Sequence, residues 1–485
     1  MANLLCIFAK CPAPGRVKTR LALDIGEWAA TELYRAMLFD IESAFEAAPF
    51  EARWWVSPDM EGFSREVGTA LPVRLQRGGD LGARLSEAFE EGFAEGRERI
   101  AVIGADCPAL GVKEVQSLFK ALADSDLAII PALDGGYAAL ALKTPCPAIF
   151  EGVEWSSTRT LEQTLARARE AGLSVALLPT LDDIDDLPSL RALLDGSQGR
   201  GSGEAKRTLA TLEALGFKGG NLPVIDDHGS ILDSGKPPKR IISLVPSITE
   251  TLFDLGVGER VVGRTDFCIY PEDAVKKIPS IGGPKDFDPA AVIALEPSLV
   301  LCDAEENYKE GVEALKAAGV NVFIALPRTL PGVASLLIRW GRLLGAEARA
   351  QKCAQEILDI IGEEDKERAS VLCPIWRDPW MSFSDETYCG AVLRGAGLHN
   401  ITGGLPESYP ELGLERLSVE EGTLLLMPSE PYPFTEEDAE EAAEILPFAA
   451  KILFPGEWLT WYGARTAKRV KALAELIDRE KARVH

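Results

Sequence analysis

The chain has 485 residues, 46% of them hydrophobic, with 75 acidic against 51 basic side chains and a formal net charge of −24. That length allows two or three domains with buried cores. So acidic a balance excludes a non-specific nucleic-acid binder, because phosphate backbones demand a broad basic face.

In chain order, the opening MANLLCIFAKCPAPG has too few apolar residues before Lys10 for a signal h-region and reads as a buried first strand. Residues 1 to about 190 then alternate short apolar runs with amphipathic stretches: LLCIFA and the helix-like Glu27 to Ala47; VRLQR and Leu81 to Glu95; IAVIGAD and Val112 to Ala123; then LAIIPA. This alternation predicts βαβ units, a mostly parallel sheet and ligand binding at the carboxyl ends of its strands. The composition shifts to DGSQGRGSGEAK and GFKGGN, so residues 196–221 are expected to be a Gly/Ser-rich linker with a short helix. The expected domains are 1–195 and 222–485. The second alternation passes through RIISLVP, PSLVLCDA and VNVFIAL to Pro331–Gly362, a stretch without internal proline. As one helix it would span roughly 45 Å, a bridge between lobes at about 222–330 and 363–485. LLLMPSEPYPF and a basic terminal helix, Ala464 to Val484, complete the chain. No segment approaches the eighteen or so apolar residues of a membrane span. The nine cysteines are scattered without a CxxC pair and there are only three histidines, so neither a disulfide framework nor a His-rich or structural zinc site is expected. The expected location is a reducing cytoplasm.

The segment FAKCPAPGRVKTRLA gathers Lys10, Arg16, Lys18 and Arg20 around a turn at Pro12, Pro14 and Gly15. Such a turn at a helix start offers cations and backbone N–H groups to a phosphate. Asp106 follows the apolar run of IAVIGADCPAL, and Asp134 follows that of LAIIPALDGGYAAL, with Gly135 and Gly136 next. A strand-tip aspartate can hold a hard divalent ion, and the glycines let backbone approach a ligand closely. Taken singly, each segment reads sooner as a solvated loop, a turn or a helix cap; three strand ends in one sheet favour a site. In EWSSTRTLEQT, Ser156, Ser157 or Thr158 is expected to cap a helix. In LPTLDDIDDL, the four acids Asp182, Asp183, Asp185 and Asp186 crowd like charge that either a divalent ion or a helix N-terminus would relieve.

These five motifs, in this order over about residues 3 to 190, resemble the bacterial DUF2064 family, glycosyltransferase-like and related to nucleotidyltransferases of the molybdenum-cofactor guanylyltransferase type. The resemblance implies a GT-A-like nucleotide-binding fold, Lys18 and Arg20 on nucleotide phosphates, and Asp106 as ligand to Mg²⁺ or Mn²⁺. KRIISLVPSITETLFDLGVGERVVGRTDFCIYP, PSIGGPKDFDPAAVIALEPSLVLCD and WLTWYGARTAKRVKAL resemble the helical-backbone periplasmic binding proteins, in particular the cobalamin-binding type, over about 223 to 480. That implies two α/β lobes on a long helix and a corrinoid or other metal complex, such as a ferric chelate, as ligand. A planar ligand of that kind wants aromatic walls and polar anchors. Tyr270 matches the family's cleft tyrosine; Trp380, Trp461 and Arg465 are candidates by location.

The expected function is a metal-dependent glycosyltransferase-like enzyme, acting from a nucleotide sugar on a small-molecule acceptor, fused to a cobalamin- or metal-complex-binding domain. Asp106 and Asp134 are the expected catalytic residues, and Lys10, Gly15, Arg16, Lys18, Arg20, Gly135 and Gly136 the nucleotide-binding set. The alternatives are nucleotidyl transfer to a corrinoid intermediate held by the second domain, and a non-catalytic nucleotide or corrinoid sensor. No GxGxxG follows the first strand and no GxSxG elbow occurs, against NAD and serine-hydrolase chemistry.

Overall fold

A computed structural model of the chain describes residues 3–196, 201–218, 222–361 and 368–484. Residues 197–200 and 219–221 of the expected linker, and Gly362 at the expected helix end, lie outside them. The chain forms two compact units, Met1–Leu21 with Ala29–Leu222, and Ala22–Trp28 with Pro223–His485.

The first unit is built on seven strands: β1 (Asn3–Lys10), β2 (Glu51–Ser57), β3 (Val73–Leu75), β4 (Arg99–Gly104), β5 (Leu127–Pro131), β6 (Tyr137–Leu142) and β7 (Val175–Leu177). Their order is β3-β2-β1-β4-β6-β5-β7. Only β6 runs antiparallel to its neighbours β4 and β5. β1 and β4 read as unbroken apolar runs because both sheet faces are covered; Leu4, Leu5, Cys6 and Ile7 are fully buried. The helices Leu81–Ala94 and Thr160–Glu170 cover one face, where Leu85, Phe89 and Ala168 meet Leu4, Val102 and Leu140. Register decides where function can sit. Phe8 lies opposite Trp55 on one side and Gly104 on the other, so the loops leaving β1, β2 and β4 emerge at one edge. β5, parallel to β4 across β6, delivers Asp134 to that same edge.

The described part of the expected linker is not a spacer but a strap on the first unit. Gly203 N donates to Ala109 O at 2.9 Å and Ser202 N to Glu114 at 3.0 Å. A Cβ at residue 201 or 203 would overlap the Pro108–Ala109 backbone, so the glycines serve close approach rather than flexibility. Buried Asp40 accepts from Arg207 N, Thr208 N and Thr208 Oγ1 and caps the helix Lys206–Ala214.

The second unit opens with a hairpin, β8 (Val224–Ile225) and β9 (Ile231–Leu232). Two parallel four-stranded sheets follow. One has the order β11-β10-β12-β13, with β10 Ile241–Ser243, β11 Val261–Arg264, β12 Leu299–Asp303 and β13 Val322–Ala325. The other has the order β15-β14-β16-β17, with β14 Ala369–Leu372, β15 Leu398–Asn400, β16 Leu424–Pro428 and β17 Ala450–Phe454. The single bridging helix expected over Pro331–Gly362 is instead two helices, Leu330–Leu344 and Glu347–Ile361. Gly345 takes φ 67° and ends the first with a left-handed cap, its N–H donating to Gly341 O, the αL stop that glycine favours. The second helix packs back on the first, so closely that a Cβ at Gly341 would lie 2.7 Å from Ala350 Cβ. The remaining bridge of fifteen residues spans roughly 22 Å. It is buried almost all round: Val333, Leu336, Leu337 and Trp340 join a core that includes Phe323 of one lobe and Val371, Leu393 and Leu473 of the other.

Candidate functional site

At the strand-end edge of the first unit lies a cavity of about 490 Å³. Its walls carry five cations, Lys10, Arg16, Lys18, Arg20 and Arg84, and four carboxylates, Asp106, Asp134, Asp183 and Asp185. Lys10, Arg16, Lys18 and Arg20 of one motif and Asp106 and Asp134 of two others thus share one wall system. Gly15 turns at φ 74° and Gly135 at φ 89°, and a Cβ on Gly135 would overlap the Thr158 carbonyl. Gly136 N donates to Asp134 Oδ1 at 2.8 Å.

Lys18 is buried, and its Nζ lies 3.1 Å from Asp106 and 3.8 Å from Asp185. Arg20 pairs with Asp185 at 3.0 Å. Burial works to raise the Asp106 carboxyl, but the charge and hydrogen bond of Lys18 hold it below its ordinary value. Asp183 goes the other way: burial, then the charge of Asp106, push it up to about 6. Three of the four acids of LDDIDD therefore take separate roles. Asp186 caps the helix Leu187–Leu194 through Ser189 N, Asp185 neutralises cations, and Asp183 lines the cavity. Among the described residues no group of three His, Cys, Asp or Glu side chains is placed to hold a metal ion. Asp106 with Asp183 is a two-carboxylate set, which suits a hard ion completing its shell with phosphate and water rather than a protein cage. Sequence reasoning missed Gln76, which follows β3, and Arg84. Gln76 donates to Ala9 O at 3.2 Å and Trp55 O at 2.6 Å. A polar residue after a three-residue strand leaves no signal to find.

In the second unit the strand ends of the two lobes face each other. Tyr462 Oη donates to Asp303 Oδ2 at 2.8 Å and Tyr409 Oη to Glu305 at 2.6 Å, and the Tyr270 and Trp461 rings meet edge to face with centroids 6.2 Å apart. Tyr270 is half-exposed, as a cleft residue should be, while Trp461 is buried. One candidate, Trp380, is placed elsewhere, and another, Arg465, is held by carboxylates beside Tyr270. Trp380 stacks on Phe434 at 5.8 Å and packs on the core of its own lobe. Arg465 is committed to Asp254, at 2.7 and 3.1 Å, and to Glu250 at 2.9 Å, a clasp of charge rather than a free anchor, although it borders a cavity of about 320 Å³ with Tyr270. Exposed Phe267 and Tyr409 at these strand ends were missed; Phe267 stood in the quoted DFCIYP segment, but nothing in one sequence separates an exposed aromatic from a core one. Cys268 is buried, bonded to Thr249 and Thr265.

The fold and its sites define a two-part protein: a GT-A-like α/β unit with a charged strand-end cavity, and a two-lobed binding-protein unit with an aromatic junction. Both resemblances read from the motifs are borne out. Residues 41–157 match the family described as "Uncharacterized protein conserved in bacteria (DUF2064)", and residues 241–446 match "Periplasmic binding protein". The cobalamin-binding protein of Halobacterium salinarum is 30% identical over 201 residues, 39% of this chain and 54% of its own. The vitamin B12-binding protein of Vibrio campbellii is 24% identical, over 40% and 72%. The chain thus spans about half the length of the Halobacterium relative. Among solved structures, a protein of Desulfovibrio desulfuricans assigned as a nucleotide-diphospho-sugar transferase is 29% identical over 44% of this chain and 96% of its own, with a TM-score of 0.41. The periplasmic vitamin B12 binding protein of Vibrio cholerae is 17% identical over 50% and 98%, with a TM-score of 0.43.

The expected cytoplasmic location is overturned by these matches: the family fitted by residues 241–446 is one of periplasmic binding proteins. The expectation leaned on the scattered cysteines and on the opening apolar run, which is the sheet strand β1; neither carries information about export. No helix among the described residues is long and apolar enough to cross a membrane.

Proposed function

We propose that the first unit is a glycosyltransferase-like enzyme that uses a nucleotide sugar, and that the second binds a planar metal complex, a corrinoid or a related iron chelate. The observation that carries the first half is the 490 Å³ cavity, where five cations and four carboxylates meet at the strand ends of a GT-A-like sheet. A diphosphate needs such cations, and an excess of positive charge is avoided by the carboxylates that pair with them. Lys18 and Arg20 hold the phosphates, exchanging the company of Asp106 and Asp185 for that of the ligand. Asp106, with Asp183 near it, would hold a Mg²⁺ or Mn²⁺ ion, which would supply neutralisation of charge on the leaving diphosphate. In the transfer an acceptor hydroxyl oxygen bonds the anomeric carbon as the bond from that carbon to the diphosphate oxygen breaks. The electron pair leaves with the nucleoside diphosphate, and Asp134 takes the acceptor's proton. The rate gain comes from positioning and charge stabilisation.

For the second unit the support is the family match of residues 241–446 together with the half-exposed aromatics Tyr270, Trp376 and Tyr409 at facing strand ends. Calorimetry on the full chain tests both halves: nucleotide sugars with Mg²⁺ or Mn²⁺ should bind, as should cobinamide or haem. Release of pyrophosphate from a nucleoside triphosphate when cobinamide phosphate is added would replace glycosyl transfer with nucleotidyl transfer to the corrinoid. Absence of all nucleotide binding would refute the enzymatic reading.

A further inference from the structure

Four non-glycine residues among those described adopt left-handed φ, and two of them, Lys18 at 49° and Ser156 at 58°, line the first unit's cavity. Side chains avoid this region, and where they persist in it the surroundings must over-determine them. Around Ser156 they do. Ser157 Oγ and Thr160 Oγ1 both donate to Glu154 O, at 2.8 and 2.9 Å. Glu154 N donates to Gln163 Oε1 at 2.7 Å, and Arg159 closes on the Glu154 carboxylate. The polar groups on either side of Ser156 are thus spent on one another. Ser156 Oγ itself has no protein partner among the described residues, and the residue is exposed to the cavity. The helix Thr160–Glu170 starts at Arg159 without a side-chain cap bond, so Ser156 does not fill the cap role expected of this segment.

The loop carrying Asp134 is seated on this one. Leu161 N donates to Gly135 O at 2.9 Å, and any Cβ at 135 would overlap Thr158 O. Asp134 and Ser156 therefore stand on a common wall. Asp134 Oδ1 is engaged by Gly136 N, which turns the carboxylate's second oxygen to other donors. The carboxylate oxygen accepts from neighbouring O–H groups, the serine hydroxyl beside it both accepts and donates, and the carboxylate repels phosphate.

From this we propose that Ser156 is a substrate-contacting, specificity-determining residue that reads, with Asp134, the hydroxyls of the sugar on the nucleotide. The inference rests on the nucleotide-sugar reading above. It goes beyond that reading in assigning sugar recognition to a strained serine and its loop, leaving the diphosphate to Lys18 and Arg20.

The test uses the full chain with Ser156→Ala and Ser156→Gly, titrated with UDP-glucose and GDP-mannose alongside UDP and GDP in Mg²⁺, and melted without ligand. Both variants should lose at least tenfold in affinity for the sugar form that the wild type binds, and hold the parent diphosphate within twofold. Ser156→Gly should also melt higher than wild type, since glycine adopts φ 58° without a Cβ penalty. Sugar-nucleotide affinity unchanged in both variants, or lost equally for the parent diphosphate, overturns this inference and leaves the nucleotide site standing. A melting point of Ser156→Gly below wild type overturns the strain argument. A wild type that binds none of the four probes removes the nucleotide-sugar reading and this inference with it.

Discussion

Replacing Asp303 with asparagine tests the electrostatics of the lobe junction in the second unit. Asp303 is buried at the end of β12. Its Oδ1 accepts from Glu305 N and Glu306 N at 2.7 and 2.8 Å, and its Oδ2 accepts from Tyr462 Oη. Burial nevertheless dominates these donors and pushes the carboxyl from 3.8 up to about 7. The folded state therefore binds this proton more tightly than the unfolded chain does. Its contribution to stability is full below pH 3.8 and is lost as pH rises through about 7. A gap of about three pKa units at about 1.4 kcal/mol each gives roughly 4 kcal/mol as the upper bound. At about 2–4 °C per kcal/mol for a unit of this size, that amounts to roughly 10 °C of melting temperature between about pH 4 and pH 8. In the Asp303→Asn variant the amide oxygen would keep the two backbone donors, and its Nδ2 would donate to Tyr462 Oη, with no charge to desolvate. The variant should therefore melt above wild type at pH 8 and show a shallower pH dependence, read by calorimetric or fluorescence melts at constant ionic strength. Glu27, which accepts from Thr329 Oγ1, is also raised to about 7 by burial, and burial raises Asp226, Glu250 and Glu430 as well, so a residual slope should remain in the variant. A single variant with the wild-type slope from pH 5 to pH 8, or one less stable at pH 8, would refute the reasoning.

Lys18→Met removes the buried cation between Asp106 and Asp185 and should cost roughly 10- to 100-fold in nucleotide affinity, the worth of a charge-assisted contact, by isothermal titration. Gly135→Ala meets both a φ of 89° and the Thr158 carbonyl; a loss of roughly 1–3 kcal/mol in the stability of the first unit, with weakened nucleotide binding, is expected from denaturant titration. Arg465→Ala leaves buried Glu250 to Arg469 alone, so melts should show about 1–3 kcal/mol of lost stability while corrinoid affinity stays within twofold; the opposite pattern would return Arg465 to the cleft. Tyr270→Ala should instead weaken cobinamide or haem binding about tenfold, with stability nearly unchanged because the ring is 41% exposed; spectroscopic titration decides it.

Much was legible in one dimension. Strand periodicity and the breaks between apolar runs located β1, β4, β5, β10, β12, β13 and β16, because a strand covered on both faces must be apolar throughout. The cations of the first site were legible because they crowd one turn, and Asp106 and Asp134 because each ends an apolar run. The break at Gly345 was also written in the chain, as a glycine where a helix stops, but counting only prolines merged two helices into one. The glycines of residues 201 and 203 misled in the other direction, since close packing and free rotation ask for the same residue.

Other features depended on partners far apart in sequence. Lys18 meets Asp106 across 88 positions, and Arg465 meets Asp254 across 211. No local pattern encodes such a choice, because a long charged side chain accepts any carboxylate that the fold brings within reach. Trp380 reads the same as Trp461 until tertiary packing sends one into a lobe core and the other against Tyr270. The left-handed backbone at Ser156 was invisible for the same reason: its own sequence disfavours it, and only the hydrogen bonds and the Gly135 contact around it hold it there. The chain by itself determined the strands, the turns and the chemistry available at their ends. The tertiary structure decided which of those groups face each other, because pairing of charges and rings is set by distance in space, which separation along the chain does not measure.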